Sequence, residues 1–117
     1  MIIDPDSVKV LIYNQPVDMR RGIDGLSIMV SDELQELPTS GSLYVFYGRS
    51  KDKLKVLYWE RNGFCLFYKR LEKGRFKLPA PGCQAMAVSK QQLRWLLDGL
   101  DISKIKGHAS LSYDIFR

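Results

Sequence analysis

The chain has 117 residues, 45% of them hydrophobic and 26% charged, with a formal net charge of +5. That is the size and balance of a single globular domain with a core of its own. No run approaches the roughly 20 apolar residues of a bilayer-crossing helix, and the opening MIIDPDSVKV has neither the positive start nor the apolar run of a secretory signal, so a cytoplasmic protein without a membrane partner is expected.

Residues 8–13 (VKVLIY) read as a strand closed by the turn signal Asn14-Gln15-Pro16. Beyond the link from Asp18 to Gly22, apolar residues recur at Ile23, Leu26, Val30, Leu34 and Leu37. That spacing predicts a helix, with Asp24 near its positive N-terminal end and Pro38 after its last turn. Three strands follow at 43–47, 54–59 and 64–71, the last two joined by an Asn62-Gly63 hairpin signal. Alternation puts Leu54, Val56 and Tyr58 on one face of the second and Lys53, Lys55, Leu57 and Trp59 on the other. Large apolar groups on both faces predict packing on each side of the sheet. Glu72-Lys73-Gly74 reads as a turn, 75–78 as a short strand and 86–88 as a further one. Ser89 with Gln92 is a capping-box pattern, opening a helix whose stripe is Leu93, Leu96, Leu97 and Leu100, interrupted at Gly99. The expected fold is α+β: a single domain over 1–101, an antiparallel β meander drawn largely from 43–78 with two packed helices, and a C-terminal tail over 102–117.

Charge is unevenly spread. Between Arg49 and Lys77 there are ten Lys or Arg against Asp52, Glu60 and Glu72, a local +7, so the rest of the chain sums to −2. A concentrated basic stretch interleaved with aromatics is the footprint of a polyanion partner. Phe46, Tyr58, Phe64 and Phe67 are assigned to the core rather than to base stacking. The phosphate-contact candidates are Arg49, Lys51, Lys53, Lys55, Lys69, Arg70, Lys73, Arg75 and Lys77, with alternation grouping Lys53, Lys55 and Lys69 on one face. Contacts of this kind hold phosphates without reading bases. Arg20 and Arg21 are further candidates: beside two glycines at a strand-to-helix junction they could clamp phosphate with help from the helix N-terminus. The competing reading pairs them with Asp18 and Asp24 to fix the junction, and both stay open.

No catalytic pattern is visible. The chain lacks phosphate-binding, dinucleotide and nucleophile-elbow motifs. Cys65 and Cys83 lie far apart without a second ligand at metal spacing, and read as two partly buried thiols. His108, the one histidine, has no nucleophile beside it. Asp18, Asp24, Asp32, Glu33 and Glu60 are the candidate Mg²⁺ ligands of a nuclease. Nothing makes them converge, and so short a chain hardly houses an RNase-H-like domain. No catalytic residue, metal or cofactor is expected, and the protein is not read as an enzyme.

Three blocks carry a family resemblance: PVDMRRGIDGL, then VFYGRSKDKLKVLYWERNGFCLFYKRLEKGRFKLP, then the capped leucine-rich helix from Ser89. Together and in that order they resemble the Orf2-type accessory protein, often labelled TnpB, of the IS-sixty-six class of bacterial insertion sequences. The resemblance covers roughly residues 8–100, with Tyr58 where tryptophan is frequent. It implies a small accessory protein of DNA transposition, with catalysis residing in a separate transposase. Two roles are expected from it and from the charge: nonspecific DNA binding through the basic residues, or an adaptor that holds the transposase or another accessory protein of the same element.

Overall fold

Alternating apolar side chains build a sheet whose central strands are buried on both faces. In the computed structural model, which describes residues 8–80 and 84–102, the order is β1 (Val10–Tyr13), α1 (Ile23–Asp32), β2 (Leu43–Tyr47), β3 (Lys53–Glu60), β4 (Gly63–Arg70), β5 (Ala85–Val88) and α2 (Lys90–Leu97). The strands lie in the order β4-β3-β2-β1-β5. The expected meander exists as β2-β3-β4, antiparallel throughout. The sheet as a whole is mixed, which corrects the antiparallel expectation: β1 runs parallel to β2 and antiparallel to β5. The reason is α1. A helix between two neighbouring strands returns the chain to its starting end, and the second strand then runs in the same direction as the first.

The two helices cover opposite faces. Leu26, Met29 and Val30 of α1 pack with Tyr13, Tyr44, Phe46 and Leu57. Leu93 and Leu96 of α2 pack with Val10, Ile12, Val45, Tyr47, Leu54 and Val56, joined by Phe76 and Ile102. The α+β class, the single globule and packing on both faces are as expected.

Three local expectations change. Helix α1 ends at Asp32, not near Leu37. Gln35 takes a left-handed φ of +52°, and the Glu36 N–H closes the last turn on the Val30 carbonyl at 3.1 Å, leaving Leu37 exposed. Residues 75–78 form no strand: Phe76 is buried as a core plug and its N–H donates to the Lys51 carbonyl at 2.7 Å. The hairpin turns on Arg61 and Asn62, because Glu60 pairs with Gly63, and Arg61 carries the positive φ of +58°.

The capping box at α2 is present, with Ser89 and Gln92 satisfying each other's backbone N–H at 2.9 and 2.8 Å. Cys65 is a partly buried free thiol. Cys83, His108 and residues 103–117 of the expected tail lie outside the described residues. No described helix is long and apolar enough to cross a membrane.

Candidate nucleic-acid interface

Strands β1 and β2 end side by side, and the loop leaving β1 folds back over that end of the sheet. The Val17 N–H donates to the Tyr47 carbonyl at 2.9 Å, tying the loop to the last residue of β2. Asp18 accepts the Arg20 backbone N–H at 2.9 Å and the Arg20 guanidinium at 2.7–3.1 Å. These bonds hold the Asp18 carboxyl far below the usual carboxylate range and raise the Arg20 pKa in return. From beneath, the Lys55 ammonium on β3 donates to the Met19 and Arg21 carbonyls at 2.7 and 2.9 Å, and it lies 5.3 Å from the centre of the Tyr68 ring.

Facing this loop is the β2–β3 turn. Gly48 must be glycine or the wall must move: a Cβ there would meet Met19 Cγ at 2.7 Å. The Lys51 N–H closes the turn on the Gly48 carbonyl at 3.0 Å, with Lys51 itself at φ +63°. Asp52 accepts from the Ser50 hydroxyl and from Lys53 Nζ, and these bonds, the serine's first, lower its pKa. Between loop and turn lies an open cleft of about 760 Å³, lined by Pro16, Val17, Asp18, Met19, Arg20, Gly48, Arg49, Ser50 and Lys53.

The basic candidates separate into three groups. Arg20, Arg49 and Lys53 line the cleft. Arg21 is exposed beside Arg20, and Arg70 lies opposite Lys53 in the β3–β4 register, with its guanidinium 3.4 Å from Glu72. Lys73 and Arg75 are exposed in the segment after β4. That segment is bonded to the β2–β3 turn through Leu71 N–H to the Asp52 carbonyl at 2.8 Å and Phe76 N–H to the Lys51 carbonyl, so Lys51, Lys73 and Arg75 belong to the same end of the sheet.

Two candidates have other employment. Lys55 is only 9% exposed and its ammonium is spent on loop carbonyls. Lys69 sits one residue out of phase with Arg70, so it points to the α2 face, where it donates to the Leu97 carbonyl at 2.8 Å. The common face expected for Lys53, Lys55 and Lys69 therefore does not exist. What gathers the cations is a common end of the sheet, formed where β1, β2 and β4 finish and β3 begins. Of the two readings of the junction, pairing holds for Arg20 with Asp18, while Arg21 makes no side-chain hydrogen bond or ion pair with the described residues.

Charge counting missed the uncharged half of the cleft. Pro16, Val17, Met19 and Gly48 carry no charge signal, and their proximity depends on β1 lying beside β2. Phe67, assigned to the core, is 43% exposed. Among the described residues no group of three or more His, Cys, Asp or Glu could hold a metal ion.

A family model described as "IS66 Orf2 like protein" matches residues 8–107. The chain belongs to the IS66 Orf2-like family. Membership supports an accessory role associated with transposition. Two relatives come from Sinorhizobium fredii (strain NBRC 101917 / NGR234). One, y4hO, is 42% identical over 101 residues, covering 86% of this chain and 88% of its own. The other, y4jC, is 34% identical over 106 residues, covering 91% of each. Both bear the name "uncharacterized protein", which assigns no activity. No solved structure matches. In this IS66 Orf2-like chain every lining residue of the cleft falls inside the span matched by the family.

Proposed function

We propose that the protein is a non-catalytic accessory factor in transposition that holds DNA phosphates with the basic end of its sheet. The observation that carries this reading is the convergence of Arg20, Arg21, Arg49, Lys51, Lys53, Arg70, Lys73 and Arg75 from separated stretches onto one end of the sheet. Arg21 and Arg49 are exposed and make no side-chain ion pair with the described residues, so their guanidinium groups are free to take phosphate oxygens in pairs. The fold rather than the composition supports the reading, since Lys55 and Lys69 hold carbonyls and are not counted among the contacts.

Fluorescence anisotropy with a labelled duplex between about 50 and 200 mM salt tests it. Affinity is expected to fall steeply with salt. Joint replacement of Arg21 and Arg49 by Ala is expected to weaken binding on any sequence and to lower the log–log salt slope by about 2. Binding that is absent, or indifferent to salt, rejects the proposal.

One observation favours a second role, that of an adaptor for the transposase or another accessory subunit. Strand β4 is an edge of the sheet, and Phe67 and Tyr68 are both exposed along it, which is the kind of edge a partner strand can extend. Co-purification of the two proteins without DNA supports the adaptor; no complex at micromolar concentration removes it.

A further inference from the structure

The cleft has two chemically distinct halves. Pro16, Val17 and Met19 supply an apolar wall; Arg49 and Lys53 supply positive charge, Lys53 with Asp52 beside its ammonium, while the Arg20 that also lines the cleft is paired with Asp18. Both halves are built before any ligand arrives. Val17 is bonded to Tyr47, the Lys51 N–H holds the opposing turn to Gly48, and Lys55 fixes the carbonyls of Met19 and Arg21. The absence of a side chain at Gly48 is what lets Met19 of the wall pack against the turn.

A duplex offers such a cleft only half of what it can bind. Its phosphates are outside, but its bases are stacked and paired within, so the apolar wall would face water or sugar edges. An unpaired nucleotide offers both parts on one short unit: a flat base for the wall and a phosphate for the cations. The volume, about 760 Å³, lies within the range of pockets for molecules of that size. Thioether and proline surfaces pack well against an aromatic ring, and base stacking on protein is tolerant of sequence because every base has a π face.

We infer that the cleft between the β1–α1 loop and the β2–β3 turn receives an unpaired nucleotide of DNA, its base against Pro16, Val17 and Met19 and its phosphate on Arg49 and Lys53. This deepens the DNA-binding reading and rests on it. Strand ends and locally opened duplex are the forms of DNA that present such a nucleotide, and both arise when a mobile element is cut from its flanks.

The test compares a short labelled single strand with the blunt duplex of the same sequence, at equal salt, on the full chain. The single strand is expected to bind about tenfold tighter, the worth of one stacked base. Replacement of the exposed Pro16 by Asp puts a negative charge on the wall and is expected to remove that preference while duplex binding persists. Arg49→Ala is expected to weaken both. Equal or tighter binding of the duplex overturns the inference and leaves the phosphate-binding proposal standing; no binding of either form overturns both. A preference that survives Pro16→Asp, with the variant's fold verified by circular dichroism, also overturns it, because the base then lies elsewhere. Thymidine monophosphate is expected to displace the strand only in large excess. If it binds as tightly as the strand, the ligand is a free nucleotide and the assignment to DNA fails.

Discussion

An ammonium with so little access to water needs acceptors, and Lys55 finds two carbonyls and a ring face. Its effect is on the loop above it: without Nζ, the Met19 and Arg21 carbonyls lose the donor they share. Lys55→Met keeps an unbranched side chain opposite Tyr68 in the β3–β4 register and removes the ammonium, and with it the donor and the charge over the ring. Unsatisfied carbonyls of this kind cost about 1–3 kcal/mol, so a loss of that order is expected in chemical denaturation, accompanied by weaker DNA binding because Arg20 and Arg21 ride on the loop. Alternation assigned Lys55 to the face opposite Leu54, and it does lie there. What alternation cannot contain is the distant segment, 36 positions away from Lys55 at Met19, that covers that face and turns a presumed surface charge into an interior one. Arg49 shows the opposite case: a turn residue beside a glycine reads as solvent-facing, and it is.

At the scale of elements, α2 is held at both ends by side chains outside its helical span. Ser89 caps its N-terminus, and Lys69, reaching across from β4, meets the Leu97 carbonyl near its C-terminus, where a positive charge also suits the helix dipole. Ser89→Ala is expected to lower stability by about 1 kcal/mol, the usual worth of an N-cap, as a shift in denaturation midpoint with unchanged m-value. The N-cap was legible because its residues are three apart. The C-terminal anchor was not, because it depends on which neighbour β4 packs against. Helix α1 has the reverse design: Gly22 provides no side-chain cap at its start, so its beginning is fixed by the loop that Lys55 holds. The stripe from Ile23 to Val30 located α1 correctly, whereas Leu34 and Leu37 extended the period beyond the helix. Periodicity carries no mark for the left-handed turn at Gln35 that ends it.

Across the whole molecule, the meander from β2 to β4 was readable from alternating runs and turn residues that are neighbours in sequence. The placement of β1 was not. Its pairing with β2 and β5 is decided by packing on both faces, as is the position of the cleft at its carboxyl end. The charge excess also needed the tertiary structure: the run between Arg49 and Lys77 looks continuous in sequence, yet folding divides it between an exposed end and internal anchors.

Strand β1 has a consequence for how the chain assembles. It is the first of the described strands and the one seated between the two most distant partners, with Val10 opposite Leu43 on one side and Val88 on the other. The β2–β4 meander closes through short turns and can form early, whereas β1 must wait for α1 to cross and for β5 to arrive, a pairing with a high entropic cost of loop closure. Val45→Ala, in the meander, is therefore expected to slow refolding in stopped-flow measurements, and Ala87→Gly, in β5, chiefly to hasten unfolding. During synthesis the lining of the cleft, residues 16–53, and the Lys55 that ties its loop leave the ribosome well before β5, so the wall is tied to Tyr47 and Lys55 without waiting for the second partner of β1. A chain truncated before β5 thus carries every residue that lines the cleft but leaves β1 with one partner instead of two.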